Sequence, residues 1–282
     1  MEIILKPNLD IKKELTEFIS TEEIKDGFSC GINIASNSNY YKDMPSFIVE
    51  YDKCGSIIGL CHLFSVNKRE VEVSILVASK ERRHGLGTQL LSEAKSIISN
   101  YDFKKILYIC DDASTFGKAF LEKLKVKPHH TEYILALSKD IEVPRASRLL
   151  VSTCTTNDLE KVIEINSEAF DEDYEVTSFF IESVLDDSSK KIYVGKLNYN
   201  PICSLMLNDE DSSFSMTGVA TSSSLQRQGY AKELICEVLN SINPVQKNVY
   251  INVESQNSPA YSLYKSVGFD ESKILNYYIE NL

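Results

Sequence analysis

The chain has 282 residues, 43% of them hydrophobic and 25% charged, with a formal net charge of −11. That composition is ordinary for a globular protein, and the length exceeds what one core usually organises, so two domains are expected. The acidic balance argues against a nonspecific nucleic-acid binder, which needs a concentrated basic face; it is compatible with a cationic substrate such as an amine, and equally with solubility alone. No apolar run reaches the roughly 18–20 residues of a membrane span, and the start, MEIILKPNLDIKKEL, lacks a basic region followed by a long apolar stretch. A cytoplasmic protein without a membrane partner is expected. The seven cysteines are scattered and form no C-x-x-C pair, which signals neither a disulfide framework nor a metal site.

In chain order, the first half reads as a strand at Ile3 to Lys6, a helix from about Asp10 to Ile19, and an irregular or helical stretch. The segments SFIVEY and IIGLCHLFSV follow as a hairpin around DKCGS. VEVSILVAS is a β-branched strand leading straight into ERRHGLG, and a helix follows with Leu90, Leu91, Ala94, Ile97 and Ile98 at helical spacing. The strand KILYICD, an amphipathic segment around FGKAFLEKL and a strand near TEYILALS complete this half. After a linker around Asp140 to Arg148, interrupted by Pro144, the order repeats. LLVST is a strand, NDLEKVIEINSEAF a helix with Asn157 as N-cap, and FFIESVLDD a second helix. KIYVGKL and ICSLML form a hairpin, FSMTGVATS leads into LQRQGYA and a helix, and NVYINVES, SPAYSLYKSV and KILNYYIE close the half as strand, helix and strand. The expected fold class is α/β with a mixed sheet, as two tandem copies spanning residues 1–140 and 149–282.

Both halves place glycine or alanine between a β-rich strand and a helix: Gly85 and Gly87 in one, Gly229 and Ala231 in the other. Small residues allow a tight turn and close approach to main-chain nitrogens. A helix N-terminus adds unpaired N–H groups and the positive end of its dipole, which together suit a phosphate. Taken singly, either glycine could serve packing alone. Neither loop completes the G-x-G-x-x-G or G-x-x-x-x-G-K-[ST] patterns of nucleotide-binding loops.

Gln226-x-x-Gly229-x-Ala231 and Arg82-x-x-Gly85-x-Gly87 resemble the [Q/R]-x-x-G-x-[G/A] pyrophosphate loop of the GNAT superfamily of acetyl-CoA-dependent N-acetyltransferases. Downstream, VESQNSPAYSLYKSVGF resembles that superfamily's next signature through Asn257, Ala260, Tyr264 and Gly268-Phe269. The resemblance implies two tandem GNAT-like acyl-CoA N-acyltransferase domains. It also implies acetyl-CoA as acyl donor, no metal, and a small-molecule or peptide amine as acceptor. Nucleic acid is not an implied partner, and a monomer or homodimer is expected. Residue by residue, it implies that Val219, Ala220 and Thr221 face the pantetheine and acetyl carbonyl, and that Gln226, Arg227, Gln228, Gly229, Tyr230 and Ala231 hold the pyrophosphate. Asn257 contacts the pantetheine arm, and the Tyr264 phenol protonates the departing sulfur. Val77, Arg82, Arg83, Gly85, Leu86 and Gly87 form a possible second cofactor site.

Acetyl transfer needs a neutral amine, a stabilised oxyanion and a proton for the thiolate. Tyr264 can supply that proton, or it packs between helix and sheet like other tyrosines. An alkyl amine is neutral only about once in 2,500 molecules at pH 7, so a base or a water relay is needed. Glu254, alternating against Ile251 and Val253, is a candidate, as is the acidic loop Asp171 to Glu175; each could equally be a solvated charge. In the first half the position of Tyr264 falls on Phe120 or Leu121, that of Asn257 on Ala113 or Ser114, and Lys125-Val126 stands in place of Gly268-Phe269. This pattern resembles mycothiol synthase-like tandem acetyltransferases, with a catalytic second domain and a first domain that is structural or an additional binding site. The competing reading is an acyl-CoA sensor without turnover.

Overall fold

Apolar periodicity and glycine stops set the elements. The computed structural model describes residues 1–32, 34, 39–139, 143, 148–210, 213–242 and 247–282. In the first half these are β1 (Glu2–Ile4), α1 (Leu9–Asp26), β2 (Phe47–Tyr51), β3 (Ile57–Phe64), β4 (Glu70–Val77), α2 (Leu86–Ile98), β5 (Lys105–Asp111), α3 (Thr115–Leu124) and β6 (Lys127–Leu137). The second half supplies β7 (Leu150–Thr153), α4 (Leu159–Phe170), α5 (Tyr174–Leu185), β8 (Lys190–Leu197), β9 (Asn200–Asp209) and β10 (Ser213–Thr221). It ends with α6 (Tyr230–Ser241), β11 (Asn248–Glu254), α7 (Ser258–Val267) and β12 (Phe269–Asn281).

Three helices differ from the sequence expectation, α5 among them, which begins at Tyr174 rather than Phe179. α1 runs past Ile19 to Asp26, because no glycine or proline intervenes before Gly27, which adopts the left-handed C-cap conformation and donates its N–H to Glu23 O at 2.8 Å. α4 has Asp158, not Asn157, at its N-cap, and the Asp158 carboxylate instead accepts from Thr155 N and Oγ1 at 3.0 and 2.7 Å and pairs with Lys196.

By compactness the chain divides into one unit of Met1–Glu132 with Lys273–Leu282 and another of Tyr133–Ser272. The expected boundaries at 140 and 149 do not coincide with this division. Most of the expected linker lies outside the described residues, Val143 and Arg148 apart. In the first unit β1 to β4 are antiparallel neighbours, β4 and β5 are parallel, and the C-terminal part of β12 pairs antiparallel with β5 from Leu275↔Asp111 to Asn281↔Lys105. The last ten residues thus complete the first unit's sheet. In the second unit β7 to β10 are antiparallel neighbours and β10 runs parallel to β11.

Each unit buries apolar side chains on both sheet faces. In the first, α2 and α3 contribute Leu90, Ala94, Ile98 and Leu121 to one core, while α1 contributes Leu15 and Ile19 to another. In the second, α6 and α7 contribute Leu234, Ile235, Val238 and Val267, while α4 and α5 contribute Val162, Ile163 and Ile181. Leu234 is fully buried; truncating such a side chain to alanine typically costs about 2–5 kcal/mol.

The caps of α3 and α7 fix the register between the halves. Ser114 Oγ accepts from Gly117 N at 3.1 Å, as Asn257 Oδ1 accepts from Ala260 N at 3.1 Å. Lys125 ends α3 at φ 57°, where Gly268 ends α7 at φ 106°. Ser114 is therefore the counterpart of Asn257, and Leu121 that of Tyr264. A lysine at positive φ is strained by roughly 1 kcal/mol relative to glycine. Lys125→Gly is expected to raise the melting temperature by about 2–4 °C, as read in a thermal scan; an unchanged or lower value would mean that the C-cap is not strained.

Candidate functional site

In the second unit the site begins where a ladder ends. β10 pairs with β11 from Ser213↔Asn248 to Met216↔Ile251, and beyond Met216 the parallel pairing stops. On its other side β10 stays paired with β9, but the register shifts between Thr217 and Ala220. Gly218 takes φ 60° within this bulge. Its position inside a strand pattern was the sequence signal for a bulge, and the sequence reading missed it. The edge of Val219, Ala220 and Thr221 toward β11 therefore offers main-chain groups that no ladder occupies. Thr221 Oγ1 is buried and has no hydrogen-bond partner among the described residues.

After β10 a short 3-10 turn, Ser223–Leu225, leads into the loop. Arg227 has φ 59° and Gly229 φ 89°. The N–H groups of Arg227, Gln228 and Gly229 have no acceptor among the described residues, and the first-turn amides of α6 lie next to them. Consecutive amides around left-handed residues make a concavity suited to an anion. A Cβ on Gly229 would meet only Arg148 Nη2, at 3.5 Å, so backbone conformation rather than space makes glycine the residue of choice. Gln226 Nε2 donates to Thr221 O at 3.2 Å, and Arg82 Nε makes the same bond to Val77 O at 2.9 Å. In both units this position closes the loop onto the end of its strand, which needs a long side chain with an N–H. Tyr230 is buried beneath the guanidinium of Arg148, 4.4 Å from its ring centroid.

Beyond β11, Asn257 uses Oδ1 to cap α7, leaving Nδ2 available. Tyr264 is 6% exposed and packs edge-on against Phe269, at 6.4 Å between centroids. Its hydroxyl has no hydrogen-bond partner among the described residues and is not sealed from solvent, so the ring is core and the hydroxyl keeps access to water. Burial pushes the phenol up to about 12. Glu254 lies on the exposed face of β11, opposite buried Val249, Ile251 and Val253. The Asp171 to Glu175 segment runs from the C-cap of α4 into the first turn of α5, with Asp171 at φ 51° and the Glu172 carbonyl accepting from Ser167 Oγ at 2.6 Å.

The first unit keeps the loop and loses the opening. Arg83 and Gly85 have φ 67° and 91°, matching Arg227 and Gly229. β4 and β5 also part company after Val73↔Tyr108. There, however, the segment Phe28 to Gly31 stands in the gap. Ser29 N donates to Asp111 Oδ2 at 2.9 Å, and a Cβ on Gly31 would meet Ile109 Cγ2 at 2.9 Å. What remains is a cavity of about 70 Å³ lined by Ser29, Ile75, Cys110, Asp111 and Ser114, among others. Arg82 is engaged with α1 too, pairing with Asp26 and lying 3.8 Å from Glu22. Leu86 is buried against the core, and a Cβ on Gly87 would touch Val77 and Phe120 at 3.8 Å. The strand is continuous with β3 up to Val77, without the shift seen in β10.

Among the described residues no group of three or more metal-ligating side chains occurs, and no helix is long and apolar enough to cross a membrane. Residues 14–125 match the Acetyltransferase (GNAT) family, and residues 194–279 the FR47-like protein family. No curated protein matches the chain in sequence. Among solved structures, a GCN5-related N-acetyltransferase from Sphaerobacter thermophilus is similar at a TM-score of 0.75 and 14% identity, over 98% of this chain and 94% of that one. A tandem GNAT protein from the clavulanic acid biosynthesis pathway is similar at 0.72 and 14%, over 99% and 98%. The glucosamine N-acetyltransferase region of a fungal multi-domain β-N-acetylglucosaminidase is similar at 0.70 and 14%, over 97% of this chain and 37% of that one. These likenesses are of fold.

Because the folded-state value of Tyr264 lies above the ordinary 10 of a phenol, its contribution to stability is fully present below about pH 10 and is lost as the pH rises toward 12. The difference in phenolate absorbance between wild type and Tyr264→Phe is expected to show no step until the pH approaches 12. A step near pH 10 would mean that the ring does not sit in the core.

Proposed function

We propose that the chain is a tandem pair of GNAT-type domains, as the matches of residues 14–125 to the Acetyltransferase (GNAT) family and of 194–279 to the FR47-like family support, and that its second unit transfers an acetyl group from acetyl-CoA to a primary amine of a small molecule or peptide. The observation that carries this reading is the coincidence, in the second unit, of a loop of unpaired amides, a strand end whose parallel ladder toward β11 has stopped and, at Tyr264, a phenol whose hydroxyl has no partner among the described residues. The first unit has the loop and a stopped ladder too, but Phe28 to Gly31 stand in its gap and Leu121 takes the place of Tyr264.

The residues suit the donor. Arg227, Gln228 and Gly229 would hold its pyrophosphate on their free amides, and Val219 to Thr221 would bind the pantetheine arm. The unpartnered Thr221 Oγ1 is a polar atom that such a ligand would satisfy. Asn257 would add its Nδ2. Acetyl-CoA supplies an activated thioester carbonyl. The amine nitrogen forms the new bond to that carbon as the carbon–sulfur bond breaks. Tyr264 holds a proton at Oη for the sulfur, and the proton lost from the amine passes to Glu254 or to water. The reading calls for a cytoplasmic protein with no nucleic-acid or membrane partner, active as monomer or homodimer. An acyl-CoA sensor without turnover is the second reading, favoured by the first unit, which keeps the loop while losing the hydroxyl.

Thiol release measured across a panel of amines tests the reading, with affinity followed separately by calorimetry. With an active acceptor, Tyr264→Phe is expected to lower turnover by about 10²–10⁴-fold while acetyl-CoA affinity changes little. Retention of half the wild-type rate would remove Tyr264 as the acid. Gly229→Val is expected to abolish donor binding, and Gly85→Val to leave turnover largely intact. Loss of activity in a folded Gly85→Val protein that still binds donor at the second unit would bring the first unit into the reaction.

A further inference from the structure

The loop of the second unit is touched from outside its motif by one arginine that lies 80 residues earlier in the chain. Arg148 Nη2 donates to Gln228 O at 2.7 Å. Its Nε donates to Glu233 Oε1 at 2.7 Å, its backbone N to Glu233 Oε2 at 2.8 Å, and its guanidinium lies over Tyr230. All four residues belong to the second unit. We propose that Arg148 is a positioning residue of the donor site, holding the Gln228–Gly229 peptide so that the Gly229 N–H faces a bound phosphate. The inference rests on the acetyl-CoA reading above.

The argument is geometric. In a trans peptide the C=O and the following N–H point in opposite directions, and no cis peptide bond occurs among the described residues. Fixing the Gln228 carbonyl on the guanidinium therefore fixes the Gly229 amide the other way. Next to a glycine at positive φ, a peptide plane that no protein group holds can rotate, and an anion must then pay the entropy of ordering it. The first unit's loop has similar φ values at Arg83 and Gly85, but its counterpart carbonyl, His84 O, has no side-chain donor among the described residues. The clamp thus adds rigidity to a shape the loop already adopts. Net charge is not the contribution, because Glu233 neutralises the guanidinium. Lysine could not replace it, since a point charge on a flexible stem cannot hold the carboxylate, the carbonyl and the ring together.

Calorimetric titration of the full chain with coenzyme A tests this. Arg148→Ala is expected to weaken affinity about 10-fold with a melting temperature close to wild type, because the side chain is half-exposed. Arg148→Lys is expected to recover less than half of that loss. Glu233→Ala supplies an opposite-sign control. Removing a negative charge beside an anion site should tighten binding if charge alone matters, whereas loss of the anchor should weaken it if Arg148 acts by position. Wild-type affinity in Arg148→Ala, full rescue by lysine, or tighter binding in Glu233→Ala would each overturn the inference while leaving the acetyl-CoA reading intact. Absence of binding to the wild-type chain would instead overturn that reading, and this inference with it.

Discussion

The parallel ladder between β10 and β11 ends after Met216↔Ile251, and the site exists because it ends there. A strand in mid-sheet has its main-chain donors and acceptors committed to neighbours. One whose neighbour departs keeps them for a ligand, provided water or that ligand satisfies them in turn. The bulge around Gly218 re-aims β10 as the ladder ends. The loop then starts from the free end of the strand, tied back by Gln226 to Thr221 O. Strand opening and anion concavity are thus one continuous piece of backbone. In the first unit the same divergence follows Val73↔Tyr108, but Phe28 to Gly31 enter it, with Asp111 bonding both Ser29 N and Ala113 N. A gap lined by unpaired backbone is not stable empty, and the two units meet that constraint in different ways.

The α3 and α7 pair separates what keeps a fold from what performs chemistry. Both helices are capped at the N-terminus by a side-chain oxygen and at the C-terminus by a left-handed residue. Both bury a residue at the end of the second turn, Leu121 in one and Tyr264 in the other. For packing the two are close to interchangeable; for proton transfer they are not, because leucine has no proton to give. The first unit has also accepted strain that the second avoids, with Lys125 at φ 57° where Gly268 is at home.

Much of this was legible in the sequence, and the exceptions share a cause. Strands such as KILYICD and NVYINVES, the hairpins and the two loops carry local signals: β-branched alternation, turn residues, and small residues before an apolar helix. The length of α1 was legible in principle, since nothing before Gly27 stops it. The partner of β12 was not. KILNYYIE reads as the last strand of the second half, yet Leu275 to Asn281 hydrogen-bond to β5, and no property of a strand's own residues says which edge it will join. The grip of Arg148 on Gln228 and the plug of Phe28 to Gly31 are likewise contacts across long sequence separations. The two registers left open for the first half closed on Ser114 and Leu121 only once both caps were seen.

The raised value of Tyr264 bears on how its proton can be used. At about 12 the phenol is protonated throughout the neutral range, as an acid must be. Against a thiol near 8.5, however, complete transfer to a free thiolate is uphill by about three to four units, or roughly 4–5 kcal/mol. A full proton step after the carbon–sulfur bond has broken is therefore unfavourable in this setting. The hydroxyl is better suited to donate a hydrogen bond to sulfur as charge develops, in the way preorganised donors stabilise developing anions, with the proton crossing only as the bond breaks or through solvent at the hydroxyl's open side. The burial that raises the pKa also holds the ring by its contact with Phe269 and its place in the α6 and α7 core. One packing arrangement therefore sets both the donor's position and its reluctance to ionise.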